Sequence, residues 1–395
     1  MYNTPKSNRL HISIFGKRNA GKSSLINAIT NQSLSVVSDI PGTTTDPVSK
    51  SMELLPLGPI VLIDTAGLDD TGSLGELRIN KTKEVIKKTD LGVLVFDACN
   101  KNLEYELKWY DDLKQKNIPV IGAINKIDLC KNNCNFIKSY FDIPFVEISA
   151  KEKINISGLK KLLIENAPID FEMPTILGDI IKPKDKIILV APQYIQAPKG
   201  RIILPQVQII RDILDNDGLA LTVKDTELTD MLTALKEEPS LVITDSQMFK
   251  KVNELIPKHL RLTSFSILMA RYKGDLDLFI KGAKIINTLK PNDKILIAEA
   301  CTHHQLKGDI AREKIPSLLE KKVGGKLDIV NITGVDFPED LSEYKLIIHC
   351  GSCMFTRKQL LSRLEHVKNQ NIPITNFGVA LAELNGILDR SCSFL

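Results

Sequence analysis

Two groups of residues in this sequence have the types and spacing to do chemistry. Toward the C-terminal end, Cys301-Thr302-His303 is answered after a long gap by His349-Cys350-Gly351-Ser352-Cys353. Three thiolates with an imidazole form a soft donor set. It suits zinc in a three-cysteine, one-histidine site, or a 4Fe-4S cluster with one iron not held by cysteine. Spacing alone leans to zinc and leaves both open. Near the N-terminal end, Gly16-Lys17-Arg18-Asn19-Ala20-Gly21-Lys22-Ser23 fits the pattern G-x-x-x-x-G-K-S/T, directly after the apolar run Ile12–Phe15 and directly before a helical stretch. The glycines let backbone N–H groups turn toward phosphates, and the following helix adds a favourable dipole. Lys22 can then reach the β- and γ-oxygens while Ser23 holds Mg²⁺.

Three further motifs follow in order. Asp64-Thr65-Ala66-Gly67 comes after Val61-Leu62-Ile63, so the aspartate stands at a strand end where it can hold Mg²⁺ through water and Gly67 can meet a γ-phosphate. Asn125-Lys126-Ile127-Asp128 follows Val120–Ile124, and the Asp128 carboxylate suits N1–H and N2–H of guanine, which selects GTP over ATP. Ser149-Ala150-Lys151 after Phe145–Ile148 completes a base pocket. Phosphate contacts fall on Asn19, Ala20, Gly21, Lys22, Ser23 and Ser24.

These groups need strands that end where the chemistry is. From His11 to about Ala167, apolar runs alternate with helical patterns, which predicts a doubly wound α/β sheet. Pro168, Pro174 and Gly178 punctuate the stretch after it and set a boundary near 170. A small second α/β segment runs over 171–265 and carries no catalytic constellation, so elimination assigns it to association with a second copy or a partner. A third α/β segment, 266–395, opens on a helix over 266–288. In it Cys301 lies past the end of Ile295–Ala298 and Cys350 past the end of Leu346–Ile348. Ligands bind outside the carboxyl ends of the strands in an open parallel sheet, so the two half-sites meet if those strands are neighbours. Glu299, at the same strand end, offers an oxygen.

Composition limits the alternatives. The 395 residues are 43% hydrophobic and 25% charged, enough for two or three domains with ordinary cores, and the net charge of +4 gives no argument for a nucleic-acid surface. No stretch reaches the roughly 18 apolar residues of a membrane helix, and the expected location is cytoplasmic. Seven cysteines, of which Cys301, Cys350 and Cys353 share a motif, argue against a disulfide framework. Cys130 and Cys134 read as ordinary thiols in a polar loop.

The four nucleotide motifs resemble those of the GTPase family, and in particular the bacterial branch that includes the tRNA-modification and Era-type GTPases. Asn19 matches the loop position at which potassium-activated members coordinate K⁺, and Pro41-Gly42-Thr43-Thr44-Thr45-Asp46 is similar to their first switch, which makes Thr44 a Mg²⁺ ligand. The resemblance implies catalytic roles for Lys22, Thr44, Asp64 and Gly67. Leu68 stands where Ras-like proteins have glutamine, which implies slow hydrolysis of GTP to GDP, stimulated by K⁺.

A GTPase with C-terminal Cys-x-His and His-Cys-x-x-Cys resembles, over essentially the whole chain, the scaffold GTPase family that matures FeFe-hydrogenase. That resemblance implies a P-loop GTPase domain, a dimerisation domain and a cluster-binding domain. It makes Cys301, Cys350 and Cys353 the thiolates of a 4Fe-4S cluster with an exchangeable fourth position, and His303 and His349 fourth ligands or tuning residues. It further implies a homodimer or higher oligomer, radical-SAM maturases and apo-hydrogenase as partners, and a transient di-iron precursor as cargo, with no membrane and no nucleic acid. The competing reading is a GTPase in RNA modification or ribosome assembly with a structural zinc site.

Overall fold

The computed structural model describes residues 9–30, 48–65, 84–130, 132–168, 175–191, 202–300, 309–334, 336–352 and 355–395. The chain forms two compact units, Met1–Glu172 and Met173–Leu395. In the first, the described elements are β1 (Leu10–Phe15), α1 (Lys22–Thr30), β2 (Val48–Leu54), β3 (Gly58–Asp64), β4 (Leu91–Asp97), α2 (Glu104–Gln115), β5 (Val120–Asn125), α3 (Cys134–Lys138), β6 (Phe145–Glu147) and α4 (Ile156–Glu165). They build a sheet in the order β2-β3-β1-β4-β5-β6, parallel except for β2.

A parallel sheet covered on both faces buries whole strands, and all of β1 is buried. Leu10, Ile12 and Ile14 pack in one layer with Leu25, Ile29, Leu159 and Leu163. Phe15, Val61, Ile63, Leu94 and Phe96 pack in the other with Trp109 and Leu113. The sheet is therefore doubly wound, and β1, β3, β5 and β6 all deliver their motifs at one edge.

The second unit holds β7 (Lys186–Val190), α5 (Leu204–Asp215), β8 (Leu219–Val223), α6 (Leu228–Ala234), β9 (Leu241–Thr244), α7 (Phe249–Leu255), β10 (Leu262–Ser264) and α8 (Phe265–Lys273). It continues with α9 (Leu276–Lys284), β11 (Lys294–Glu299), a π-helical turn at Ile310–Lys314 leading into α10 (Ile315–Val323), β12 (Asp328–Thr333) and β13 (Leu346–His349). The last elements are α11 (Arg357–Asn369), β14 (Ile374–Asn376), α12 (Phe377–Leu384) and α13 (Leu388–Cys392).

Its two parallel sheets, β10-β9-β7-β8 and β12-β11-β13-β14, follow the same winding, with the first strand inside, the second at one edge, and the third and fourth on the other side. The likeness extends to sequence. Lys182-Pro183-Lys184-Asp185-Lys186-Ile187 enters the first sheet and Lys290-Pro291-Asn292-Asp293-Lys294-Ile295 the second, while Leu262-Thr263-Ser264-Phe265 matches Ile374-Thr375-Asn376-Phe377.

Backbone detail agrees. Lys184 and Asn292 share a left-handed conformation, with φ of 72° and 70°. Their N–H groups donate to Asp217 O at 2.7 Å and Lys326 O at 2.8 Å. Lys186 pairs with Glu237 as Lys294 pairs with Glu343. Ser264 and Asn376 each cap the helix that follows. The second unit is thus one α/β winding present twice.

The two copies meet through equivalent helices. A Cβ on Gly378 of α12 would lie 2.6 Å from Cβ of Ser266 in α8, and the two residues hold matching positions. Ile188, Val190 and Val242 of the first sheet share an apolar cluster with Ile295, Ile297 and Ile347 of the second. Helix α8 lies within this core, with Ile267 and Ala270 in that cluster and Phe265, Leu268 and Met269 in a neighbouring one.

The helix expected over 266–288 is two helices. Gly274 ends α8 by donating to Ala270 O at 2.9 Å, and Asp275 caps α9 by accepting from Leu278 N at 3.0 Å. Cys134, expected in a polar loop, starts α3 and is buried.

Candidate nucleotide and cluster sites

The loop after β1 turns through Asn19 (φ 64°) and Gly21 (φ 92°). At Gly21 a side chain is excluded twice, by the backbone angle and because a Cβ would sit 2.2 Å from Asn125 Nδ2. Asn125 ties the loop after β1 to the loop after β6: its Nδ2 donates to Ala20 O at 2.8 Å and its Oδ1 accepts from Ala150 N at 2.9 Å. Lys22 is buried and donates to Lys17 O at 2.8 Å and to Gly16 O, so its ammonium already lies within the loop.

Ser23 Oγ donates to Asp64 Oδ2 at 2.7 Å, while Asp64 Oδ1 is buried with no hydrogen-bond partner among the described residues. Thr65 Oγ1 donates to Ile14 O at 2.6 Å and so pins the end of β3 against β1. A hydroxyl and a buried carboxylate with an unsatisfied oxygen suit Mg²⁺, which Ser23 and Asp64 would hold and which would neutralise phosphate charge there.

Lys126, at φ 66°, reaches Asp97 Oδ2 at 2.6 Å, joining the ends of β4 and β5. Ser149 is fully buried and its Oγ accepts from Glu152 N at 3.1 Å, whereas Asp128 and Lys151 are exposed. Asn19, Ser23 and Ser24 are also exposed. Thr44 and Gly67 lie outside the described residues. Lys17 lies 3.4 Å from buried Glu106 of α2, a contact that no motif signalled. Burial raises the Glu106 carboxyl above the usual range, and the Lys17 ammonium opposes that shift.

In the C-terminal sheet, β11 and β13 are neighbours, with Ala298 paired to His349. The winding reverses between them, so the point past their ends is the switch point where a doubly wound sheet opens a crevice. Cys350 stands there. Its sulfur accepts from Ala300 N at 3.0 Å and Ser352 N at 3.4 Å, and its own N–H donates to Ala298 O at 2.9 Å. Two backbone N–H groups on one sulfur fix its position and supply hydrogen bonds of the kind that tune a metal-bound sulfur.

Cys301, His303 and Cys353 lie outside the described residues, and among the described residues no group of three metal-ligating side chains forms. Glu299 is buried, 3.9 Å from Arg312 Nε.

His349 is fully buried with both ring nitrogens engaged. Nδ1 lies 2.9 Å from Cys350 O and 3.1 Å from Ser352 Oγ, and Nε2 lies 3.0 Å from Arg363 Nη1. Burial first and then the Arg363 charge push its pKa down to about 4, so the ring is neutral and Nε2 accepts from the guanidinium. In this arrangement His349 orients the cysteine loop and turns no nitrogen toward the sulfur.

Several residues at this site carried no sequence signal. Arg363 of α11 is buried between Phe337 and Phe355 and also donates to Gly334 O at 2.7 Å. Asn376 Nδ2 donates to Cys350 O at 3.2 Å. Ser352 sits in the left-handed region at φ 53°.

The fold and the first site define a P-loop GTPase domain joined to a duplicated α/β unit. The GTPase part matches the family described as 50S ribosome-binding GTPase over residues 11–126. The remainder matches the Hydrogen maturase F dimerization domain over 176–274 and the Hydrogen maturase F tetramerization domain over 277–394. The chain belongs to the hydrogen maturase F family, whose dimerisation and tetramerisation domains mark it as a homo-oligomer.

Among curated relatives, the tRNA modification GTPase MnmE of Thermoanaerobacter sp. (strain X514) is 36% identical over 185 residues, covering 46% of this chain and 37% of that protein. The Aquifex aeolicus (strain VF5) protein of the same name is 36% identical over 163 residues, covering 41% and 35%. The chain therefore spans about a third of the length of these relatives. A solved structure of an Aquifex aeolicus Era variant bound to GDP and AlF4⁻ overlaps with a TM-score of 0.36 at 22% identity, over 54% of this chain and 94% of that one. Among the described residues no helix is long and apolar enough to cross a membrane.

Proposed function

We propose that this chain is a GTP-hydrolysing scaffold and carrier for the di-iron subcluster of FeFe-hydrogenase. Residues 1–170 hydrolyse GTP, 171–265 pair protomers, and 266–395 hold a 4Fe-4S cluster on Cys301, Cys350 and Cys353 with an exchangeable fourth position. One observation carries the reading: Cys350 lies at the β11–β13 switch point with two backbone N–H groups on its sulfur, in a chain whose second unit matches the hydrogen maturase F domains.

In the first unit, Lys22 and the loop N–H groups would bind the phosphates, and Ser23, Asp64 and Thr44 would position Mg²⁺. Asn19 would hold K⁺, and Asn125, Lys126, Asp128, Ser149, Ala150 and Lys151 would surround guanine. GTP turnover would switch partner exchange with the radical-SAM maturases and the apo-hydrogenase in the cytoplasm, while the iron chemistry stays with the cargo.

A second reading draws on the MnmE relatives of the first unit: a GTPase acting on RNA, with zinc on the cysteines. One assay separates them. Wild type, Lys22→Ala and Cys350→Ala are loaded by the maturases and mixed with apo-hydrogenase, with hydrogen evolution read out. Activation by wild type and its loss in Cys350→Ala supports the scaffold. Failure of loaded wild type to activate, with one zinc per chain and RNA retained on purification, supports the second reading.

A further inference from the structure

The duplicated winding makes one asymmetry informative. Helices α8 and α12 are equivalent, and counting from Phe265 and Phe377 sets Lys273 against Asn385. Lys273 has no exposed surface. Its ammonium crosses from the first copy of the winding to the cysteine loop of the second, donating to Ser352 O at 3.2 Å and Phe355 O at 3.0 Å. Those two carbonyls bracket Cys353 and Met354 in sequence.

Seven residues earlier on α8, two helical turns away and on the same face, Ser266 Oγ donates to Asn376 Oδ1 at 3.0 Å, and Asn376 in turn holds Cys350 O. A Cβ on Gly351 would come within 3.9 Å of Ser266 Oγ. One helix of the first winding thus holds Cys350 through Asn376 and holds Ser352 and Phe355 directly.

Burying an ammonium is expensive unless its environment favours the charge, and carbonyl oxygens do so in part. The backbone it grips is constrained at Ser352. Ser352 has a positive φ, Phe355 N donates to Ser352 O at 3.1 Å, and Ser352 is fully buried. A cluster held by three thiolates is anionic, and a fixed cation beside it stabilises the more negative, reduced form.

We infer that Lys273, carried by the first copy of the winding, is a positioning residue for the metal site: it fixes the backbone at Ser352 and Phe355 and offsets the negative charge of the metal group bound there. The inference rests on the cluster reading above and concerns which residue tunes that site.

The test compares full-length wild type with Lys273→Met, Lys273→Gln and Lys273→Arg. In metal-free protein, hydrogen exchange over 349–356 is expected to quicken in the Met and Gln variants while the β11 core stays protected. After anaerobic reconstitution, these variants should lose iron to a chelator about tenfold faster than wild type, the range in which residues supporting metal ligands act. Their midpoint potential should shift to lower values, and Lys273→Arg should return most of it.

Wild-type exchange over 349–356 together with a wild-type potential in Lys273→Gln would overturn the inference. Unfolding of the Met variant alone leaves the Gln and Arg variants to decide. Should wild type itself take up no iron, the cluster reading fails, and the exchange measurement on metal-free protein still decides the role of Lys273 in holding Ser352 and Phe355.

Discussion

Replacing Asn125 with alanine probes how one side chain joins the two halves of the nucleotide pocket. The residue is 3% exposed and makes two hydrogen bonds, to Ala20 O and from Ala150 N. Each is worth about 1 kcal/mol net, and each leaves behind a partner whose lost pairing adds about 1 kcal/mol or more when it stays dry. Water entering the vacated space recovers part of this, which sets the loss at about 2–4 kcal/mol.

Both partners belong to the loops proposed to contact nucleotide, so most of the loss should appear in binding. About 3 kcal/mol corresponds to roughly a 100-fold weaker affinity for GDP. Titration of a fluorescent GDP analogue, with thermal unfolding of the apo-protein alongside, reads both terms. Affinity within threefold of wild type together with an unchanged melting temperature would refute the bridging role.

Three further outcomes follow from the geometry. Ser23→Ala removes the hydroxyl that contacts Asp64 and should make GTP binding nearly insensitive to Mg²⁺, measured by titrating Mg²⁺ at fixed nucleotide; a wild-type Mg²⁺ dependence would contradict the assignment. Burial and then Asp389 push the Cys392 thiol up to about 12, so the reactive thiolate is scarce until the pH nears that value, and a maleimide at pH 8 should label exposed Cys99 and spare Cys392 until the protein is unfolded. Leu214 of α5 and Leu219 on edge strand β8 are 54% and 47% exposed within the dimerisation domain, so Leu214→Glu with Leu219→Lys should shift sedimentation to a smaller species, and an unchanged profile would place the protomer contact elsewhere.

What could be read from the sequence was local. Each nucleotide motif carries its own residues, its preceding strand and its following turn, so Gly16–Ser23, Asp64, Asn125 and Ser149 were legible without any long-range contact. The position of Cys350 past a strand end was legible too, while the pairing of β11 with β13 that makes that end a switch point is a tertiary fact.

Strand β2 escaped because Val-Ser-Lys-Ser-Met-Glu-Leu mixes charge into a strand that pairs on one side only. Lys273 and Arg363 look like ordinary helix charges, since a basic residue in the last turn of α8 reads as a response to the helix dipole. Only packing between the two windings makes Lys273 an interior cation. The winding itself had a signal, Lys-Pro-x-Asp-Lys-Ile occurring twice, but it is short and its two copies lie far apart.

The central claim is that Cys350 at the β11–β13 switch point, together with Cys301 and Cys353, holds an iron–sulfur cluster. Its most direct test is the EPR spectrum of anaerobically reconstituted, dithionite-reduced protein, recorded with iron and zinc content for wild type and Cys350→Ala. The account predicts an S = ½ signal with about four irons per chain in wild type, as a single 4Fe-4S cluster requires, lost in the variant. A silent spectrum with one zinc per chain would contradict it.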